Sequence, residues 1–90
     1  MSLVGNTLAG KYDGGMTYEL YNKDGTTAFL DSGEKSKGKW SIEGQKLCTK
    51  YKGDDKDCYG IERAGDKVTL TDAKGKAYKM TVLPGNPKDL

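Results

Sequence analysis

Hydrophobic and polar residues alternate with a period of two along most of this chain. In one such segment, Tyr78, Met80 and Val82 alternate with smaller or polar residues. This period predicts β-strands that turn one face to a core and the other to water, and no segment carries a helical stripe. The alternating or β-branched segments are residues 16–20, 26–30, 39–42, 46–51, 58–62, 67–71 and 77–82.

Short pairs that end in glycine separate the predicted strands. Such pairs supply the positive φ that tight hairpin turns require, and their spacing of roughly 8–12 residues is typical of a β-meander. The pairs are Asp24-Gly25, Ser32-Gly33, Glu43-Gly44, Lys52-Gly53, Ala64-Gly65 and Lys74-Gly75. We therefore predict an all-β fold of about seven short antiparallel strands in meander order, as a small barrel or a strongly curved sheet. Closure into a barrel removes exposed strand edges, and an open sheet completed by dimerisation is the alternative.

The apolar residues that share a phase within each segment define the expected core. They are Met16, Tyr18, Leu20, Phe29, Trp40, Ile42, Leu47, Tyr59, Ile61, Val68, Leu70, Tyr78, Met80 and Val82. The N-terminal residues 3–10 are bounded by glycine and too short for a long helix, so we expect a helical turn or an irregular strap there. Pro84 ends the last strand because proline cannot continue a ladder of hydrogen bonds.

Two cysteines, Cys48 and Cys58, flank a polar turn centred on Gly53. A hairpin folded about Gly53 places the cysteines opposite each other, at the Cα separation of about 4.5–5.5 Å that a disulfide can bridge. The same register pairs Leu47 with Tyr59 on the other face, so the predicted disulfide lies outside the core. Two free thiols or half of a metal site are the alternatives, although zinc needs about four ligands and the CxxC spacing of redox pairs is absent.

A disulfide predicts an oxidising compartment, so we expect the protein to be periplasmic or secreted. The chain does not open with a basic stretch followed by an apolar run, which are the features of a signal peptide. Together these observations predict a mature chain whose signal peptide has been removed, with residues 1–3 partly or wholly derived from a vector. Residues 1–90 are expected to form one all-β domain.

Composition and charge exclude several classes of protein. The 90 residues are 34% hydrophobic and 31% charged, with 15 basic and 13 acidic residues. No apolar stretch approaches the roughly 18 residues of a membrane span. The net charge is only +2, and all basic residues except Arg63 are lysine, whereas nucleic-acid recognition relies on clustered charge and on arginine. We therefore expect no membrane span and no nucleic-acid partner.

Candidate chemistry is restricted because the chain has no histidine. Ser-His-Asp triads, Cys-His dyads and histidine-ligated zinc are excluded, and paired carboxylates remain. Asp54, Asp55 and Asp57 cluster, but on a predicted exposed hairpin tip. Residues 22–25 resemble part of a calcium-binding loop, yet Leu20 stands where the first ligand should be. We predict no catalytic residue, no metal and no cofactor, and hence no enzyme.

Tyrosine accounts for 6 of the aromatic residues, beside one tryptophan and one phenylalanine. Three of the tyrosines belong to the expected core, but Tyr12, Tyr21 and Tyr51 do not. Tyrosine is common at binding surfaces because one end of the ring is apolar and the other is polar. We predict a binding patch of Tyr12, Tyr21 and Tyr51; half-buried rings whose hydroxyls reach water are the alternative.

Several short motifs occur in a fixed order along the chain. They are Gly5-Asn6-Thr7, the block GKWSIEGQKLC at residues 38–48, Cys58, and LPGNP at residues 83–87. This set resembles an uncharacterised family of small exported alphaproteobacterial proteins, a domain of unknown function, over nearly the whole chain. The resemblance implies export and a disulfide between the two cysteines, and it implies no activity and no catalytic residues.

Two functions are compatible with these features. We expect a non-enzymatic module that binds another protein or an envelope component, an inhibitor-like role suggested by fold analogy alone, as a monomer or a dimer. The alternative is a small-ligand-binding barrel, although 90 residues leave little interior space beyond the core side chains. A cavity lined by Tyr18, Trp40 and Tyr78 would favour the ligand-binding barrel. A filled interior with an exposed tyrosine patch would favour the binding module.

Overall fold

The computed structural model describes residues 3–12 and 15–90, which form eight β-strands and no helix. The strands are β1 (Thr7–Tyr12), β2 (Gly15–Tyr21), β3 (Thr26–Asp31), β4 (Glu34–Glu43), β5 (Lys46–Tyr51), β6 (Asp57–Ala64), β7 (Lys67–Thr71) and β8 (Ala77–Leu83). Each strand pairs antiparallel with the next along the chain, and β8 pairs with β1 to close a barrel. The predicted all-β meander is confirmed, as a closed barrel rather than an open sheet.

The β3–β4 hairpin shows how a glycine pair acts as a turn. Asp31 pairs with Glu34, which leaves Ser32 and Gly33 as a two-residue loop. Both loop residues have a positive φ, of 52° and 87° respectively. Two positive φ values are the signature of a type I′ turn, whose twist matches that of the strands it joins. The Ser-Gly pair therefore sets the register of this hairpin.

Residues 3–10 contain a strand where the sequence predicts a helical turn or an irregular strap. β1 pairs with β2 on one side and with β8 on the other, and so it closes the barrel. The alternation of β1 is hidden because Gly10 stands opposite Met80 and has no side chain of its own. A Cβ atom at Gly10 would collide with the Met80 sulfur. The Met80 side chain thus occupies space that a residue of β1 would otherwise fill.

A hydrophobic core occupies much of the barrel interior. Its buried residues are Leu8, Tyr21, Leu47, Val68, Leu70, Met80 and Val82, and Leu3, Trp40, Tyr59, Ile61 and Tyr78 pack against them. Every core residue that the sequence predicts in β5 to β8 belongs to this cluster. Period-two alternation is therefore a reliable guide in the second half of the chain, where one face of each strand is strongly polar.

The strand β2 turns the face opposite to the predicted one toward the interior. The residues of β2 that line the interior are Thr17, Glu19 and Tyr21. Because side chains alternate along a strand, the other face of β2 is on the outside of the barrel. The predicted core residues on that outer face are Met16, Tyr18 and Leu20.

The C-terminal segment explains why this outer face is apolar. Thr7 donates a hydrogen bond to the Gly85 carbonyl at 2.8 Å, and the Lys88 ammonium lies 4.6 Å from the centre of the Tyr18 ring. The segment therefore crosses the outside of β1 and β2, where both Thr7 and Leu20 are buried. Alternation alone does not distinguish the interior of a barrel from an outer face that another segment covers.

Met16 and Ile42 are predicted core residues that the structure exposes, at 45% and 52%. Ile42 lies beyond the last residue of β4 that pairs with β3, which is Lys39. This end of β4 is flanked by β5 alone, so its apolar side chain has no neighbour on the other side. A local pattern cannot reveal how far one strand extends past its neighbour.

Cys48 and Cys58 are directly opposed in the β5–β6 ladder and form the predicted disulfide, with Cα atoms 4.0 Å apart. Leu47 pairs with Tyr59 on the inner face, so the disulfide lies on the outer face as predicted. The bond joins two neighbouring strands without entering the interior. It is compatible with an oxidising, periplasmic or secreted location.

Within residues 3–12 and 15–90, no helix is long and apolar enough to cross a membrane.

Removal of the disulfide is expected to destabilise the barrel. In the double variant Cys48→Ala/Cys58→Ala, the free energy of unfolding should fall by about 2–3 kcal/mol, because the short loop no longer restricts the unfolded chain. Urea denaturation of the oxidised protein and the variant measures the difference. A reducing agent should destabilise the wild type and leave the variant unchanged. Equal stabilities of the wild type and the variant without reducing agent would contradict the prediction.

Candidate functional site

A cavity of about 180 Å³ lies inside the barrel. It is lined by Leu8, Thr17, Glu19, Tyr21, Phe29, Thr49, Tyr51, Asp57, Tyr59, Leu70, Tyr78 and Met80. The exposed residue Asp57 begins β6 at the end of the barrel that carries the β3–β4, β5–β6 and β7–β8 connections, which we call the mouth end. Tyr21 ends β2 at the opposite side and is fully buried. The cavity therefore runs from the mouth end down to the hydrophobic core.

The carboxylate of Glu19 is the charged group at the centre of the cavity wall. Tyr21 donates its hydroxyl hydrogen bond to Oε1 of Glu19 at 2.8 Å, and Tyr51 donates to Oε2. The Thr27 hydroxyl lies 3.0 Å from Oε2 and 2.8 Å from the Leu20 carbonyl oxygen, so its single proton serves one of these two acceptors at a time. Three hydroxyls from β2, β3 and β5 thus surround one carboxylate.

Burial governs the acid–base behaviour of this cluster. Desolvation raises the pKa of the Glu19 carboxyl above its ordinary value of 4.5, and the hydrogen bonds from Tyr51, Tyr21 and Thr27 oppose part of that rise. Desolvation and the nearby Glu19 carboxylate also raise the pKa of the Tyr21 and Tyr51 hydroxyls above the ordinary tyrosine value. Both tyrosines therefore stay protonated near neutral pH and act as donors.

Aromatic contacts fix the rings that line the cavity. Tyr21 packs edge-on against Trp40 with ring centres 5.7 Å apart, and the Trp40 indole nitrogen donates to the Asn22 carbonyl at 2.8 Å. Phe29 and Tyr51 meet with ring centres 6.2 Å apart. These ring contacts, together with the hydrogen bonds to Glu19, fix the positions of the Tyr21 and Tyr51 side chains.

Glycine on the neighbouring strand makes room for the Tyr51 ring. Gly38 pairs with Tyr51 across the β4–β5 ladder. A Cβ atom at Gly38 would lie 2.6 Å from the Lys50 carbonyl oxygen and 2.7 Å from Cδ1 of Tyr51. These separations are too short for any side chain, so the Tyr51 ring lies directly over the backbone of β4.

The structure places the predicted tyrosine patch differently from the sequence-based expectation. Tyr21 is 1% exposed, so it is not part of an exposed patch. Tyr21 and Tyr51 do come together, but inside the barrel and around Glu19. The side chain of Tyr12 lies outside the described residues. The predicted patch treated unexplained tyrosines as surface residues, although β2 and β5 turn them inward.

Glu19 and Thr27 are the site residues that the sequence did not reveal. The sequence did contain a clue to Glu19, because Glu19 shares a phase with Thr17 and Tyr21 on β2. That phase looked like the solvent face, since it contains a charged residue and the other phase contains three apolar ones. A half-buried carboxylate that faces the barrel interior reverses the usual pattern, and an unexplained tyrosine in phase with it is the available clue.

The remaining carboxylates of interest stabilise turns. Asp72 accepts hydrogen bonds from the backbone nitrogens of Lys74 and Lys76, both at 2.9 Å, and these bonds hold its pKa below the ordinary value. Residues 22–25 form the β2–β3 turn, in which the Gly25 nitrogen donates to the Asn22 carbonyl at 3.1 Å. In the part of the chain that the structure describes, no group of three or more potential metal ligands is gathered at one point.

Comparison of the chain with protein-family models, with curated proteins and with solved structures finds no match. The resemblance to a family of small exported proteins is therefore still a prediction, and the cavity must be interpreted from its own chemistry.

Ionisation of Glu19 is expected to oppose folding. Because its pKa is raised in the folded state, the charge reduces stability once the pH rises from about 4.5 through the raised pKa, and this loss is absent at lower pH. The stability of Glu19→Gln relative to the wild type should therefore increase as the pH rises over that window. Urea denaturation of both proteins at several pH values measures this difference in stability.

Glu43→Gln is the matched control for that titration. Lys56 and Ser41 donate hydrogen bonds that lower the pKa of the exposed Glu43, so its charge favours folding above that pKa. The stability of Glu43→Gln relative to the wild type should therefore decrease as the pH rises, the opposite sign. The same slope for both variants would contradict the assignment of Glu19 as a desolvated carboxylate.

A methyl group at Gly38 is expected to disturb the site. In Gly38→Ala, the new Cβ must displace the Lys50 carbonyl or the Tyr51 ring, which should lower the free energy of unfolding by about 1–3 kcal/mol. Gly60→Ala is the control, because the nearest atoms to a Cβ there are 3.9 Å away. Urea denaturation compares the two, and equal effects would show that the Gly38 contact is not tight.

Proposed function

We propose that this protein is a non-enzymatic small-ligand-binding barrel whose cavity takes a molecule of about the size of benzene. The observation that carries this proposal is the cavity of about 180 Å³ at the mouth end of the barrel. A cavity of about 150 Å³ in another protein binds benzene, so the space is sufficient. Its apolar walls with a few placed polar groups are also typical of ligand sites.

The chemistry of the cavity wall supports a binding role over a merely imperfect core. Protein interiors leave few voids larger than a water molecule, and apolar side chains would fill this one at less cost than a carboxylate. Here Glu19 is held by hydroxyls from three strands, which orients a polar group toward open space. That arrangement resembles a site prepared for a ligand, because its groups need not reorganise on binding.

The lining differs from the one that the sequence predicts for a ligand-binding barrel. Tyr78 lines the cavity as expected, whereas Trp40 packs behind Tyr21 and Tyr18 lies on the outer face. The protein-binding or envelope-binding module depended on exposure of all three tyrosines, and Tyr21 is buried. Export to the periplasm or the exterior is part of our proposal, and the disulfide supports it.

Blocking the cavity is expected to abolish binding. The probes are benzylamine, benzyl alcohol and benzoate, which share a ring and differ in charge, and at least one should bind with Kd of about 1 mM or tighter. Two-dimensional NMR titration should place the shifts at Tyr51, Tyr59 and their neighbours. Thr17→Phe, which fills the cavity from β2, should weaken binding more than about tenfold.

Met16→Phe is the matched control, because it adds the same ring on the exposed outer face of β2. It should leave the affinity unchanged, and thermal unfolding establishes that both variants are folded. If no probe shifts the cavity residues of the wild type, the proposed function is wrong, whatever the variants do.

A further inference from the structure

We propose that the ligand of this cavity is a small organic cation, an amine whose ammonium group binds the Glu19 carboxylate while its apolar part contacts the tyrosine rings. This inference rests on the proposed function and adds the chemical class of the ligand. It is carried by three features of the described residues: the sign of charge in the cavity, the partners of Glu19, and the rings of the wall.

Among the residues that the structure describes, those that line the cavity carry negative charge, although the protein as a whole is slightly basic. Glu19 and Asp57 line the cavity, and no lysine or arginine is among the described lining residues. The chain nevertheless has 15 basic residues against 13 acidic ones. The Lys76 ammonium lies 5.2 Å from the centre of the Tyr78 ring, but Lys76 is exposed and does not line the cavity. A cavity with this charge favours cations over anions.

Glu19 has no cationic partner within the described chain. Its hydrogen-bond partners are the hydroxyls of Tyr21, Tyr51 and Thr27. Within residues 3–12 and 15–90, the ion pair that forms is the exposed one between Lys56 and Glu43. Glu19 is half-buried and partly desolvated. Carboxylates withdrawn from water are usually paired with a cation, because hydroxyl partners alone compensate only part of the lost hydration. The ammonium group of a ligand would supply the missing countercharge.

The Glu19 carboxylate also retains capacity for a further donor. A carboxylate offers about four lone-pair positions. Among the described residues, Oε1 accepts from Tyr21 alone, whereas Oε2 is approached by both Tyr51 and Thr27. An ammonium donor can therefore bind at Oε1 without displacing a hydroxyl. Tyrosine hydroxyls that donate to the carboxylate disperse its charge and keep it in place.

Aromatic rings complete a site for a cation. Phe29, Tyr51, Tyr59 and Tyr78 line the cavity around Glu19. The faces of such rings attract ammonium groups and also provide apolar contact for a hydrocarbon body. A carboxylate enclosed by aromatic rings suits an amine, because both the carboxylate and the ring faces attract the ammonium group. The rings also shield the apolar part of the ligand from water.

The charge series of probes tests this inference separately from the proposed function. We expect the wild type to bind benzylamine about tenfold or more tightly than benzyl alcohol, and benzoate not at all, because the three share a ring and differ in charge. NMR titration at neutral pH measures all three affinities. Equal affinities for the amine and the alcohol would overturn the cation while leaving a ligand-binding barrel, and no binding by any probe would overturn both.

Two variants show which carboxylate binds the amine. Glu19→Gln should weaken benzylamine binding about tenfold or more and leave benzyl alcohol within about twofold, since only the amine uses the carboxylate. Asp57→Asn, at the exposed mouth, should have the smaller effect on benzylamine because solvent screens its charge. A loss confined to Asp57→Asn would overturn the role of Glu19. If Glu19→Gln does not fold, the wild-type series still decides whether the ligand is a cation.

Discussion

The hydrogen-bond ladder between the first and last strands is the constraint on which the rest of the structure depends. Thr7 to Gly10 of β1 pair with Leu83 to Met80 of β8, and this pairing converts a meander into a barrel. Gly10 fits this ladder closely, because the Met80 sulfur lies where a β1 side chain would be. Only a closed barrel has an interior, so the core, the cavity and the position of Glu19 all follow from this ladder.

The interior of this small barrel holds both an apolar core and a carboxylate. With 90 residues, the protein needs most of its apolar side chains for stability, and these form the cluster around Leu47, Val68 and Val82. Yet the same interior contains the Glu19 carboxylate, whose ionisation is expected to oppose folding. The disulfide offsets part of that loss from the outer face, where it does not narrow the cavity. The inner face thus carries both the apolar core and the carboxylate, and the outer face adds the disulfide.

Much of the fold was predictable, because strands β5 to β8 alternate cleanly and their turns carry glycine. The cysteine register was predictable for a similar reason, since Gly53 fixes the centre of its hairpin. The face of β2 was not, because the C-terminal residues Gly85 and Lys88 contact Thr7 and Tyr18 on the outside of the barrel, where Leu20 is also buried, so the outer residues have the pattern of a core. The site was hidden by the same reversal: Glu19 has the appearance of a solvent-exposed residue until the barrel closes around it.

Closure also limits how this protein can meet larger molecules. Apart from their staggered ends, the eight strands are hydrogen-bonded along both edges. Outside those ends, a peptide or a second chain finds no open row of backbone donors and acceptors to extend, which is the usual route by which β-proteins recruit an additional strand or aggregate. A macromolecular partner is therefore recognised through side chains and turns, because the backbone groups along the paired strands are already hydrogen-bonded to each other.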